Sequence, residues 1–267
     1  MTAEAPGGRT GRWHPVEYLA EAWALGLFMV AACGFGVLLF HPASPVVALL
    51  PAAASRRILM GCAMGLTAAL NIYSPWGRRS GAHMNPAVTL TFYRLGKVRP
   101  PDLAGYVLAQ FAGGALGMAA GLALFGRAVA DPSVNYVLTL PGRFGPWVAV
   151  VAEAGIAAWL LAVVLWLSSR PRWAPWTGVA AAVLVACYIA VEEPLSGMSM
   201  NPARSLGSAA AAGYWTHLWI YFVAPPIGML ATVAIRRRLG ARAEHCAKYH
   251  HDAAYRCIFC GHRPGNA

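Results

Sequence analysis

Charge is what this sequence has least of. Only 12% of its 267 residues are Asp, Glu, Lys or Arg, where a soluble domain carries about 25%. Acidic residues number just 10. A chain this poor in charge and 58% hydrophobic has too little polar material to cover a globule, which argues against a soluble helical bundle and for a polytopic membrane protein. There is no P-loop, no nucleophile elbow and no dinucleotide fingerprint, so nothing points to an enzyme. The net charge of +11 does not point to nucleic acid, because the basic residues sit in short loops between apolar runs. No cleavable signal peptide is expected. The polar opening MTAEAPGGRTGRW reads as disordered over residues 1–15. The apolar run that follows is too long for a signal-peptide core.

What is abundant is apolar run. Six segments are long enough for the roughly 20 residues of helix that cross a hydrocarbon core: 16–40, 57–74, 103–126, 146–168, 174–192 and 215–235. Two shorter apolar pieces, 86–95 and 202–212, each begin at a Pro and cannot span. They read as half-helices that enter and leave from one side. Of the 21 Lys and Arg, only Arg56, Arg57, Arg127, Arg143 and Arg204 fall outside the segments on the side of the chain ends. The positive-inside rule then puts both termini in the cytoplasm.

The two short pieces open on nearly the same words: GAHMNPAVTL at 81–90 and GMSMNPARSL at 197–206. The halves match elsewhere too. LAEAWALGLF (19–28) and VAEAGIAAWL (151–160) each place Ala-Glu inside an apolar helix. Three spans followed by three spans turn the second half upside down, and inverted repeats bring half-helices together at the bilayer midplane. The expected fold is all-α: six transmembrane helices plus two re-entrant half-helices in an inverted 3+3 repeat, with repeat 1 at about 16–126 and repeat 2 at about 146–236. Asn is a good N-cap and Pro suits the first helical position. Asn85 and Asn201 would each fix their amide oxygen on their own helix and leave the NH₂ for the pore. Pro86 and Pro202 start the helices, and Ala87 and Ala203 let the two ends meet. The two N-termini bring partial positive charge to one place.

On these duplicated motifs, over residues 16–236, the chain resembles the aquaporins, the major intrinsic proteins. The resemblance implies a right-handed bundle and a passive channel for water and small uncharged solutes that excludes protons and ions, needs no cofactor for transport and forms a homotetramer. The chain would sit in the plasma or inner membrane of a prokaryote. An ion-coupled transporter also uses inverted repeats, but the only intramembrane charges, Glu21, Glu153 and Arg204, each have a family role. By resemblance Glu21 and Glu153 accept hydrogen bonds from the re-entrant loops, His83 caps or lines the cytoplasmic mouth, and Arg204 belongs to the outer constriction. The carbonyls of 81–84 and 197–200 would form acceptor ladders. Gly113, Gly114 and Gly117 allow close helix contact.

Position-matching puts Met64, Ile189, Met198 and Arg204 in the selectivity filter, with Gly65 the rival to Met64. Ser205, Ala209 and the pair Tyr221-Phe222 resemble water-type members. The filter lacks the large aromatic and the His of strict water channels. That predicts a wider, more apolar opening that also passes glycerol, hydrogen peroxide, a dissolved gas or a neutral metalloid acid.

The tail, 237–267, changes character. It is basic, and EHCAKYHHDAAYRCIFCGHR (244–263) concentrates Cys and His. Cys257 and Cys260 form C-x₂-C, and Cys246 and His250 form C-x₃-H. Together they offer a Cys₃His set of the kind that binds tetrahedral zinc, with His251 and His262 as alternates. A frayed basic end and a redox sensor are the other readings. The three remaining cysteines, Cys33, Cys62 and Cys187, lie in spans and read as packing.

Overall fold

The structure, a computed structural model, describes residues 13–241 and 246–264. Eleven α-helices follow one another: α1 (Pro15–Phe40), α2 (Pro45–Leu49), α3 (Ala53–Tyr73), α4 (Pro75–Ser80), α5 (Pro86–Arg94), α6 (Pro100–Phe125), α7 (Pro146–Ser168), α8 (Thr177–Val191), α9 (Glu193–Ser196), α10 (Pro202–Ala212) and α11 (Leu218–Arg238). The six long ones, α1, α3, α6, α7, α8 and α11, are the six expected spans with ends shifted by a few residues. Proline at the first turn starts α1, α5, α6, α7 and α10, where its missing N–H costs nothing.

Among the described residues, five long helices are apolar enough by themselves to cross a membrane. The sixth, α3, carries Arg56, Arg57, Thr67 and Asn71 and is long enough without being as apolar. Its place is set by packing. Gly65 sits so close to α8 that a Cβ there would lie 2.7 Å from the Ala182 carbonyl. Small residues govern the other close contacts too. A Cβ on Gly114 of α6 would lie 2.6 Å from the Ala203 carbonyl of α10, and one on Gly207 of α10 would lie 2.7 Å from the Gly114 carbonyl. These contacts let the half-helix α10 lie directly on α6.

The start of α1 and the end of α11 lie on one face of the bundle, here the terminal face. His14 reaches Asp102 at 2.7 Å, joining the starts of α1 and α6, and Arg237 donates to the Arg94 carbonyl, joining the ends of α11 and α5. Of the segment expected to be disordered at 1–15, residues 1–12 lie outside the described residues, whereas His14 is held in place. In the tail, residues 242–245 and 265–267 lie outside the described residues. Large apolar side chains such as Leu19, Leu66, Leu108, Leu116 and Ile227 are exposed around the bundle, the arrangement of a protein whose surroundings are lipid. Trp13, Trp76 and Trp176 near the terminal face, and Trp147, Trp215 and Trp219 near the other, are exposed as well. Those are the interfacial positions that Trp favours.

Candidate functional site

The half-helices α5 and α10 meet end to end at their Asn-Pro-Ala starts. Asn85 Oδ1 accepts from the Ala87 N–H at 2.9 Å. Asn201 Oδ1 accepts from the N–H groups of Ala203 at 3.0 Å and Arg204 at 3.3 Å. The amide nitrogens then cross over. Asn85 Nδ2 donates to the Met200 carbonyl and Asn201 Nδ2 to the Met84 carbonyl, both at 2.6 Å. The capping chemistry of the sequence leaves each NH₂ wholly to the pore. In the structure one hydrogen of each instead ties the two loops together. Both Asn side chains line a continuous cavity of about 390 Å³.

The loops leading into the motifs have an unusual backbone. Gly81 and Gly197 have φ of +99° and +80°, and Ala82, Met84, Met198 and Met200 also have positive φ, between 43° and 54°. Left-handed backbone costs a non-Gly residue roughly 1–2 kcal/mol, so something must hold it. Glu21 accepts from the His83 N–H at 3.0 Å, the Met84 N–H at 2.6 Å and Ser80 Oγ at 2.7 Å. Glu153 repeats the pattern on Ser199 N–H at 2.7 Å, Met200 N–H at 2.7 Å and Ser196 Oγ at 2.8 Å. Both carboxylates are fully buried. Tyr106 Oη donates to the Ser80 carbonyl and Tyr221 Oη to the Ser196 carbonyl. Sequence reasoning missed Ser80, Ser196, Tyr106 and Gln110. Gln110 donates to Glu21 at 2.8 Å and Thr89 at 3.0 Å. The serines had a signal, because Ser precedes Gly in both copies of the motif.

Met64, Ile189, Met198 and Arg204 all line the cavity. Gly65 instead faces α8, so of the two candidates it is Met64 that lines the cavity, together with Arg57, Met60, Ala68 and Ile72 of the same helix. Three residues beyond Asn201, Arg204 has its Nη1 buried with no hydrogen-bond partner among the described residues. Val88 holds the corresponding place after Asn85 and lines the cavity too. The two ends of the bore therefore differ, with a cation near one and an apolar side chain near the other.

At the terminal face the tail folds back over the first re-entrant loop. The Tyr249 N–H donates to the Gly81 carbonyl at 3.1 Å. His83 Nε2 bonds the Ala247 carbonyl at 2.9 Å, and the Phe259 ring stacks on His83 with centroids 5.5 Å apart. His83 is 2% exposed and lies beneath the tail. Three of the carbonyls expected to form acceptor ladders, those of Gly81, Met84 and Met200, are thus occupied by protein donors. Lys248 Nζ donates to the carbonyls of Arg78 at 2.7 Å and Arg79 at 2.9 Å, capping the last turn of α4 with positive charge.

Cys246, His251, Cys257 and Cys260 bring one donor atom each to within 4.8 Å of one another. His250, the ligand expected from C-x₃-H, is not in this group. Its ring packs on Tyr73 at 4.8 Å, and its neighbour His251 takes the place with Nε2 3.2 Å from Cys260 Sγ. Cys246 Sγ lies 3.2 Å from Cys257 Sγ. The hydrogen bond from Cys246, with further help from His251 and Lys248, holds the Cys257 thiol well below its ordinary range. Cys246 is pushed up by the same bond and by burial.

With this geometry in view, the comparisons agree. The family model described as major intrinsic protein matches residues 13–235. The glycerol uptake facilitator protein-like 6 of Lactiplantibacillus plantarum is 31% identical over 228 residues, 84% of this chain and 98% of that protein. The putative aquaporin NIP4-1 of Arabidopsis thaliana is 37% identical over 168 residues, 62% of this chain and 57% of that protein. Among solved structures, the aquaglyceroporin of Plasmodium falciparum shares the fold with a TM-score of 0.66 at 17% identity, over 84% of this chain and 96% of that one. The chain belongs to the major intrinsic protein family. It is a membrane channel and not an enzyme.

Proposed function

We propose that this protein conducts water together with small uncharged solutes, and that Asn85, Asn201 and Arg204 carry the selection. The observation that carries the reading is the pair of crossed Asn amides in one cavity with the cationic Arg204, whose buried Nη1 has no hydrogen-bond partner among the described residues. A water molecule at the crossing accepts from the two amides and turns its own hydrogens outward, which breaks a proton-conducting chain. Two half-helix N-termini and the guanidinium repel cations. Both effects are general to pores of this kind, and here each attaches to named atoms.

Met64, Ile189 and Met198 donate no side-chain hydrogen bond, so Arg204 is the filter's one donor and the walls are apolar. This supports passage of solutes beyond water. Ser205 after Arg204, with Ala209 and Tyr221-Phe222, supports water as the main substrate. The Lactiplantibacillus relative, named a glycerol uptake facilitator-like protein, supports a second reading in which glycerol or a similar neutral solute is the main cargo. A homotetramer in a prokaryotic plasma or inner membrane, both termini cytoplasmic, completes the proposal. In the tail we assign Zn²⁺ to the set Cys246, His251, Cys257 and Cys260.

Stopped-flow light scattering on proteoliposomes tests the reading, comparing water with glycerol in the Tyr249→Ala protein, which lacks the tail side chain that lines the cavity. Water flux well above that of protein-free vesicles is expected, with measurable glycerol flux. Water flux with no flux of any neutral solute would remove the wider-filter reading. Glycerol flux without water flux would reverse the order of substrates.

A further inference from the structure

The channel reading gives residues 246–260 no task, yet they lie across one end of the bore. Tyr249 is 5% exposed and forms part of the cavity wall together with Met84 and Asn85. Its neighbours are fixed to the first re-entrant loop. The Ala247 carbonyl is on His83, the Lys248 ammonium is on Arg78 and Arg79, and the Tyr249 N–H is on Gly81. Asp252 adds a 3.0 Å ion pair to Arg78. We propose that residues 247–250 are a plug closing the pore at the terminal face, and that a Zn²⁺ ion held by Cys246, His251, Cys257 and Cys260 keeps this plug seated. The inference rests on the channel reading of the same pore.

Two features join the plug to the metal set. Cys246 and His251 flank residues 247–250, one ligand immediately before and one immediately after. Cys257 and Cys260 then close the loop from the other side, and Phe259 between them stacks on His83. A single ion would therefore clamp both ends of the plug and its covering ring at once. The distances fit. Zinc with about 2.3 Å to sulfur and 2.0–2.1 Å to nitrogen needs ligand atoms roughly 3.5–3.8 Å apart. The four atoms here lie within 4.8 Å, with two of the separations at 3.2 Å. A thiolate-rich tetrahedral set selects zinc over magnesium or calcium. Without the ion, the plug would depend on a few hydrogen bonds of about 0.5–1.5 kcal/mol net each, set against the entropy of ordering the segment.

The full-length protein in proteoliposomes decides between the outcomes. Metal is read by elemental mass spectrometry and water permeability by stopped-flow light scattering. The zinc-loaded protein should hold about one zinc per chain, as a four-ligand structural site does, and conduct slowly. A membrane-permeant chelator, or the Cys257→Ser/Cys260→Ser protein, should remove the metal. If the open form is at most about 10% of the seated population, permeability then rises about tenfold or more. Tyr249→Ala should keep the zinc and show a similar rise, which separates plugging from misfolding. Zinc-loaded wild type that conducts as fast as Tyr249→Ala overturns the plug. A metal-free protein opened by thiol reductant alone overturns the zinc and points to a Cys246–Cys257 disulfide as the latch. If no form conducts above protein-free vesicles while all elute as monodisperse oligomers, the channel reading itself fails, and the plug with it.

Discussion

At the scale of single residues, Glu21 and Glu153 show how an expensive group is accommodated. A carboxylate inside a membrane persists only with its lone pairs filled, and each of these accepts from two backbone N–H groups and a Ser hydroxyl. Replacing Glu153 by Ala leaves the N–H groups of Ser199 and Met200 without acceptors, at about 1–3 kcal/mol for each buried group. The expected outcome is a clearly lowered melting temperature of the purified protein by intrinsic fluorescence, with Glu153→Gln in between. An unchanged melting point would mean that Ser196 and Tyr221 hold the loop alone. Arg204→Ala, made in the Tyr249→Ala background, should raise glycerol flux relative to water flux, because the filter loses its one donor and its bulk. An unchanged ratio would place the selecting step elsewhere. The Asn-Pro-Ala residues and both Glu were legible because local chemistry, a cap and an out-of-place charge, marks them in any fold. The choice between His250 and His251 was not. Adjacent residues in non-helical chain point different ways, and here one turns to Tyr73 and the other to Cys260. Spacing counts residues and does not see direction.

At the scale of elements, the half-helices are positioned by what they lack. Gly114 and Gly207 remove the side chains that would hold α10 away from α6, and a Cβ at Gly114 would meet the Ala203 carbonyl at 2.6 Å. Backbone against backbone leaves no room for adjustment, and forcing volume into such a contact costs about 1–3 kcal/mol. Gly114→Val in the Tyr249→Ala background should push Ala203 and with it Asn201 out of register with the Met84 carbonyl. Stopped-flow water permeability, normalised to the amount of monodisperse protein reconstituted, should then fall severalfold. Normal permeability would show that α10 can shift without opening the Asn crossing. The element pattern was largely readable, since long apolar runs and Pro-initiated short ones define helices by length alone. The exception in degree is α3. Its Arg56, Arg57, Thr67 and Asn71 dilute the apolar signal, and each has a carbonyl to donate to: Asn71 Nδ2 to Ala24 of α1 at 2.9 Å, Thr67 Oγ1 to Ala63 at 2.8 Å, Arg57 Nε to Ala190 at 2.9 Å and Arg56 Nη1 to Leu50 at 2.7 Å. Polar atoms paired inside the bundle do not face lipid, but a hydropathy reading counts them as if they did.

At the scale of the whole molecule, the inverted repeat is close at the centre and broken at one end. Glu21 matches Glu153, Ser80 matches Ser196, Tyr106 matches Tyr221, and the Asn crossing is reciprocal to the same 2.6 Å. The tail has no counterpart at the other end: among the described residues it bonds the first re-entrant loop and α4, packs on Tyr73 of α3 and Tyr106 of α6, and meets the second half through His250 and the Pro175 backbone. That asymmetry rests on contacts between residues about 170 positions apart, such as Lys248 to Arg78, which no local periodicity encodes. It also gives a prediction that neither half could show alone. Hydrogen exchange followed by mass spectrometry should find the tail segment 246–251 and the loop 81–84 protected together in the zinc-loaded protein. Chelation should raise exchange in the tail and at the first loop, where the tail excludes water from His83 and Gly81. The second loop, 197–200, is held by Glu153 and Ser196 with no tail contact, so its protection should stay as it was. If both loops lost protection together, the metal would be stabilising the whole bundle and not one mouth. If neither changed while the tail exchanged freely, the tail would lie over the first loop without sealing it. Only a selective loss at 81–84 fits a pore whose two ends share one backbone design and differ in what covers them.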